Sequence, residues 1–232
     1  MIISHKYRFI FIKTAKTAGT SIETYLSSLC GDEDVCTPFS IEELAHQPKN
    51  YSNYFNPLPE IWVTKFNHMK RTFKHVKQKR KYYNHMPAYL IQCRTPKKIW
   101  NNYFKFCVER NPWDKTLSHY HFIKRRHEKY KDLSLANYFK LGMNCINHPK
   151  YTDYNNPSKI IVDKIARYEN LNNELASIFD RLGIPFDGDL GIHAKGNYRK
   201  DRRSYQDVLT QEQAKVIEDI HHQEIKLLGY KY

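Results

Sequence analysis

The chain has 232 residues, of which 41% are hydrophobic and 14% aromatic, a composition that excludes disorder and suits one α/β domain with a sizeable core. Its 38 Lys and Arg against 24 Asp and Glu leave a formal charge of +14, which calls for anionic partners. No run reaches the roughly 18 consecutive apolar residues of a membrane span, and no signal peptide precedes the first apolar segment. The five cysteines lack C-x-x-C spacing, so neither a zinc site nor a disulfide framework is indicated. Cys30 and Cys36 can pair, but reduced thiols suit a cytosolic chain better. The expectation is a soluble cytoplasmic protein with no metal and no membrane partner.

In chain order, Tyr7, Phe9, Ile10, Phe11 and Ile12 are β-formers without alternation, the pattern of a strand buried on both faces of a mostly parallel sheet. Ile22, Tyr25, Leu26 and Leu29 then recur at helical spacing, with Gly31 as the predicted stop. Between them, Lys13-Thr-Ala-Lys-Thr-Ala-Gly-Thr-Ser21 is small and hydroxylated apart from its lysines. Such a loop lets backbone N–H groups and a helix N-terminus point at one anion, while a Lys adds full charge. An ordinary Ser/Thr-capped helix start is the plain alternative. The G-x-x-x-x-G-K-[ST] nucleotide loop itself is absent, because the stretch has a single Gly and Lys16 precedes it.

Residues 32–60 read as irregular, with a short helix near 40–45, and 36–90 as an acceptor-side insertion. From Ile61 to Val108 there is no Asp or Glu, whereas twelve residues are Lys or Arg. A solvated helix face explains part of this, but such faces normally mix signs, so the bias favours an anion or nucleotide nearby. Tyr103 to Val108 is the second strand candidate. It runs into Glu109-Arg-Asn-Pro-Trp-Asp-Lys-Thr-Leu-Ser118, where Pro112 opens a helix with Leu117, Tyr120 and Phe122 or Ile123 facing the core. Arg110 then sits at a strand end, where a surface salt bridge is its plain role, and Ser118 lies about two turns into the helix. Residues 133–141 read as helical and 160–168 as a third strand. Leu171, Leu175, Ile178, Phe179 and Leu182 mark a helix ending at Gly183, and Thr210 with Gln213 forms a capping box for a helix to about Leu228.

Two of these stretches carry a resemblance. Lys-Thr-Ala-Gly-Thr-Ser after a strand resembles the 5′-phosphosulfate loop of sulfotransferases that use 3′-phosphoadenosine 5′-phosphosulfate (PAPS), particularly the carbohydrate O-sulfotransferases with a P-K-T-A-[GS]-T-S pattern. Ala15 stands where that pattern has Pro. Phe-Lys-Phe-Cys-Val-Glu-Arg-Asn-Pro-Trp-Asp-Lys-Thr-Leu-Ser resembles the 3′-phosphate motif of the same enzymes, F-x-F-x-x-V-R-[ND]-P-x-x-R-x-x-S. Arg110 and Ser118 keep its spacing, while Glu109 replaces the usual apolar residue and Lys115 the usual Arg. A weaker third likeness, His193-Ala-Lys-Gly-Asn-Tyr-Arg-Lys, resembles the loop that closes over the nucleotide.

The resemblance implies a three-layer α/β sandwich with a P-loop-like strand–loop–helix at the N-terminus, in a single domain over 1–232. It implies PAPS as sulfuryl donor and a hydroxyl acceptor, most simply a glycan. Lys13, Lys16, Thr17, Ala18, Gly19, Thr20 and Ser21 would hold the 5′ side, Arg110 and Ser118 the 3′-phosphate, and Lys195, Tyr198 and Arg199 the closing loop. Lys16 would stabilise the leaving bridging oxygen, and Lys13 the 5′-phosphate from the other side. A His or carboxylate base is expected because an alcohol is a poor nucleophile at neutral pH, and a His is preferred. His85, 25 residues before Arg110, is the first candidate, by likeness to a His-x-x-A segment in bacterial relatives; His68 is second, and His75, His119 and His193 follow. The alternatives are a non-catalytic polyanion or nucleic-acid binder, which leaves both motifs unexplained, and a P-loop kinase, for which Lys16 is misplaced.

Overall fold

The computed structural model describes residues 1–39, 46–191 and 203–232. Apolar, β-branched and aromatic runs build a five-stranded sheet from Ile2–Ser4 (β1), Phe9–Phe11 (β2), Val35–Cys36 (β3), Phe104–Glu109 (β4) and Lys164–Arg167 (β5), in the order β3-β1-β2-β4-β5. β2–β4 and β4–β5 are parallel, and β1 is antiparallel to both β2 and β3. Four strands therefore share one direction and β1 alone reverses.

The helices of the described residues are Gly19–Ser28 (α1), Leu58–Val63 (α2), Met69–Lys77 (α3), Ala88–Arg94 (α4), Lys97–Asn102 (α5), Pro112–Arg126 (α6), Leu135–Lys140 (α7), Leu171–Leu182 (α8), Tyr205–Val208 (α9), Gln211–Ile220 (α10) and His222–Leu228 (α11). Because side chains alternate along a strand, Ile3, Ile10, Ile12 and Cys107 pack against Leu90 and Ile91 of α4 and Trp100 of α5. Ile2, Phe9, Phe11, Phe106 and Val108 point the other way, onto Ile22 and Leu26 of α1 and Leu175, Ile178 and Phe179 of α8. The sheet is thus covered by helices on both faces. A third cluster joins α6 to α10 through Trp113, Leu117, Ala214 and Ile217.

Some expectations change. The first strand is preceded by β1, its antiparallel partner, which is too short to signal itself in the sequence. Gly31 does not stop α1: the helix ends at Ser28, and the Cys30 amide bonds back to the Ser27 carbonyl. The third strand is shorter than residues 160–168: Ile160 and Ile161 pair back with Thr152 and Tyr151 instead of the sheet, and Tyr168 already starts a 3-10 turn. Gly183 caps α8 at φ 65°, as its position suggests, and the Thr210/Gln213 capping box is present. The last helix is broken at His221, whose imidazole binds Glu224. The short helix expected at residues 40–45 lies outside the described residues.

Candidate active site

Parallel pairing puts the C-terminal ends of β2 and β4 side by side, the edge of such a sheet where ligands usually bind. The 13–18 loop leaves β2 there. Thr14 Oγ1 bonds the Val108 carbonyl of β4 and lies 2.8 Å from Thr17 Oγ1, which ties the loop across the sheet edge. Lys16 and Ala18 take left-handed conformations, φ 65° and 56°, unusual for residues with a Cβ. Ala18 occupies the N-cap of α1 and offers no side-chain cap, so the first N–H groups of the helix, those of Gly19 and Thr20, point out of its N-terminus. Gly19 is required by contact: a Cβ there would lie 2.8 Å from Lys13 Cγ.

Beyond β4, Asn111 caps α6, its Oδ1 accepting from the Trp113 and Asp114 amides at 3.0 and 3.3 Å. Arg110 is held at the strand end in three ways. Its Nε and Nη2 both donate to Asp114 Oδ2, at 2.8 and 2.6 Å, its Nη1 to the Lys16 carbonyl at 3.3 Å, and its guanidinium lies 4.1 Å from the centroid of the Tyr168 ring. The group is oriented beside the loop and keeps further N–H donors for a ligand.

His85 has φ 57°, and its Nδ1 is 3.2 Å from the Lys13 carbonyl. A carbonyl only accepts, so Nδ1 carries the proton and Nε2 keeps its lone pair. Burial, and then the Lys13 and Lys150 charges, push the His85 pKa down to about 3. Lys150 donates to the His85 carbonyl at 3.0 Å. His119, whose Nδ1 is 2.8 Å from Tyr138 Oη, is pushed down to about 4 by burial and by Lys16. Both imidazoles are therefore neutral at pH 7.

Lys13 to Thr20, His85, Arg110, Ser118, His119, Phe122 and Tyr168 line one cleft of about 250 Å³. Ala18 and Tyr168 also border a second hollow of about 420 Å³, formed with Ser21, Glu169, Asn170 and Leu190. Two candidate cations, the helix start, Ser118 and His85 thus meet in one place, with Ser21 on the adjoining wall. Lys13 lines the cleft, but its ammonium is ion-paired with the fully buried Glu23. His68 sits at the N-cap of α3 edge-on to Tyr154, and His75 is buried beside Arg94; neither lines the cleft. His193, Lys195, Tyr198 and Arg199 lie outside the described residues.

One residue that shapes the loop, Asn147, carries no sequence signal. Asn147 clamps the loop, accepting from the Ala15 amide at 2.9 Å and donating to the Ala15 carbonyl at 3.0 Å. Its own position is set by a buried charge network. Lys115 Nζ reaches Glu109 Oε1 at 2.9 Å and Glu224 Oε2 at 2.6 Å, all three fully buried, and Asn147 Nδ2 donates to Glu109 Oε1 at 3.2 Å. Burial raises the Glu109 pKa, whereas His221 and Lys115 outweigh burial at Glu224 and hold it down at about 2. The departures at positions 109 and 115 are thus one ion pair. Tyr168 and Glu169 directly follow β5, a position from which parallel sheets present ligand-facing side chains, and that placement is the one signal that could have found them.

The sequence matches the profile of the sulfotransferase family over residues 1–231. It is also similar to an uncharacterized protein of Archaeoglobus fulgidus, with 40% identity over 119 residues, which cover 50% of this chain and 98% of that protein. No solved structure matches.

Proposed function

This chain belongs to the sulfotransferase family, and from that premise we propose that it moves a sulfuryl group from PAPS to a hydroxyl of a carbohydrate acceptor, in line, with His85 as general base. The observation that carries this reading is the convergence of Lys16, the uncapped start of α1, Arg110, Ser118 and His85 on one cleft. These residues fit a doubly phosphorylated nucleotide: Lys16 and Arg110 bring two cations to the cleft beside the N–H donors of the helix start, and Gly19 lets the loop close tightly on the Lys13 side chain. The adjoining hollow bordered by Tyr168, Asn170 and Leu190 supplies room for a nucleoside.

When bound, PAPS supplies the sulfuryl group and, as leaving group, a phosphate oxygen that carries its own charge. Transition-state charge in such a transfer spreads over the equatorial oxygens and the bridging oxygen. Lys16 and the Gly19 and Thr20 amides would meet that charge with fixed donors, which cost no reorganisation at the moment of reaction. Arg110, whose Nε and Nη2 hold Asp114, would turn its remaining Nη1 and Nη2 hydrogens to the 3′-phosphate beside Ser118, charge-assisted donors suited to a dianion. Lys13, committed to Glu23, would act through the loop backbone: its carbonyl sets the His85 tautomer. Nε2 of His85 then accepts the acceptor proton. Burial, with the Lys13 and Lys150 charges, keeps His85 neutral and also weakens it as a base, and the anionic donor would offset those charges and raise its pKa. We read the chain as one domain, with 36–90 on the acceptor side.

The test is thermal unfolding with 3′-phosphoadenosine 5′-phosphate, adenosine 5′-phosphate and ATP–magnesium. Ligand at 100 times its dissociation constant adds about 2.7 kcal/mol, a rise of roughly 5–10 °C for a chain of this size. The bisphosphate should produce that rise, and Arg110→Ala should remove most of it. An equal rise with ATP–magnesium, or none with the bisphosphate, overturns the reading.

A further inference from the structure

A feature unrelated to the cleft stands on α2, α3 and the turn between them. Leu58 and Trp62 lie four residues apart on the side of α2 opposite the buried Glu60, and are 57% and 71% exposed. Phe66 in the turn is 57% exposed, with its ring 6.0 Å from that of Trp62. Met69 and Phe73, again four apart, continue the stripe on α3 at 40% and 52%. Half of the exposed large hydrophobic residues among those described fall in these sixteen positions.

The surroundings have one sign. Lys65, Lys70, Arg71, Lys74 and Lys77 are all exposed, with Lys70, Lys74 and Lys77 flanking the Met69/Phe73 face. Among the described residues none of these five joins an ion pair, and the acid on the adjoining segment, Asp153, lies by Pro59 and Val63 and accepts from the Asn155 and Asn156 amides. Glu60, the acid nearest in sequence, is buried and held by Arg94 at 2.6 Å and by Thr72 Oγ1 at 2.7 Å, and no other follows until Glu109. The stripe is also held out against a local cost. Lys65 and Phe66 are consecutive left-handed residues, φ 48° and 64°, a conformation bulky side chains avoid, and the strain leaves Phe66 in solvent.

We propose that the α2–α3 face is an interfacial docking surface for an anionic lipid membrane, with Leu58, Trp62, Phe66, Met69 and Phe73 entering the headgroup–acyl boundary and the flanking lysines on lipid phosphates. An apolar stripe carrying Trp and Phe beside a lysine-rich face is the composition of segments that lie in a membrane surface. A nucleic acid is a poorer fit: Trp62 and Phe66 pack on each other, and Leu58 and Met69 offer no ring for a base to stack on. The sequence-based expectation of no membrane partner rested on spanning segments, and no helix of the described residues is long and apolar enough to cross. Lying on a surface needs no such helix.

The test mixes the full chain with vesicles of phosphatidylcholine alone and of phosphatidylcholine with about 30% phosphatidylglycerol, at about 0.15 M salt, reading sedimentation and tryptophan emission. Trp100 and Trp113 are buried, so a blue shift reports Trp62. Binding and a blue shift with the anionic vesicles alone are expected. The triple variant Trp62→Ala, Phe66→Ala, Phe73→Ala should lose at least about tenfold in partitioning. Lys70→Gln and Lys74→Gln should lose about fivefold each. These side chains are exposed, so an unchanged melting temperature establishes that the variants fold. Absence of anionic-vesicle binding, full binding by the triple variant, or stripe-dependent binding to heparin or a single-stranded oligonucleotide stronger than to vesicles overturns the proposal.

Discussion

Replacing Lys115 by Met would leave Glu109 and Glu224 facing each other in a fully buried site, without the ammonium that sits 2.9 and 2.6 Å from them. Breaking a buried pair on one side typically costs 3–5 kcal/mol, so the melting temperature should fall by roughly 6–20 °C. The companion variant Glu109→Gln with Lys115→Met removes one of the orphaned charges, and Glu224 retains His221 at 2.5 Å. The double variant should therefore be more stable than Lys115→Met alone, with a coupling of about 1–3 kcal/mol in a double-mutant cycle. Urea unfolding of the wild type, both singles and the double measures it. The same variants carry a functional readout, because Glu109 and Glu224 position Asn147 and Asn147 holds Ala15. Lys115→Met should weaken binding of the bisphosphate nucleotide more than Glu109→Gln does. A cost below about 1 kcal/mol for Lys115→Met, or strict additivity in the cycle, would refute the reasoning.

Lys16→Ala should lower turnover by about 10²–10³ with little change in melting temperature, read by transfer of labelled sulfate. His85→Ala should lower turnover by about 10²–10⁴ while nucleotide binding is kept, and His119→Ala should cost less; the reverse order would move the base to His119. Gly19→Ala pushes a methyl to 2.8 Å from Lys13 Cγ, and overpacking of that kind costs about 1–3 kcal/mol, read as loss of stability and of nucleotide affinity together. Acid should destabilise the fold. His85 and His119 are depressed mainly by burial, to about 3 and about 4, so below pH 6.5 the unfolded chain takes up protons that the folded one refuses. Stability attributable to them is complete above about pH 6.5 and falls towards pH 4, by roughly 1–2 kcal/mol for each by pH 5, measurable as a declining melting temperature.

What the sequence determined by itself is the local part. The unalternated run at Phe9 to Ile12, the hydroxylated loop with Lys16, Pro112 opening a helix eight residues before Tyr120, Gly183 in its left-handed cap and the Thr210/Gln213 box depend on neighbours within a few residues. Backbone sterics and short-range hydrogen bonds therefore make them legible. The Arg110/Ser118 spacing was legible for the same reason, since both ride on one strand–helix junction. The tertiary structure alone decided what crosses the chain. Asn147 reaches back 132 residues to Ala15, Tyr168 stacks on Arg110, Lys115 bonds Glu224 across 109, and Lys13 turns its charge to Glu23. None of these pairings leaves a pattern in one sequence, because an isolated Asn or Tyr has many equally good surface roles and only the sheet order brings these residues together. The carboxylate-free 61–108 stretch is the intermediate case. Its charge bias was plain from the residues, but whether the aromatics between the lysines face the core or solvent depended on which side of α2 and α3 meets the rest of the protein: Thr72 and His75 turned inward, and Trp62 and Phe73 were left outside.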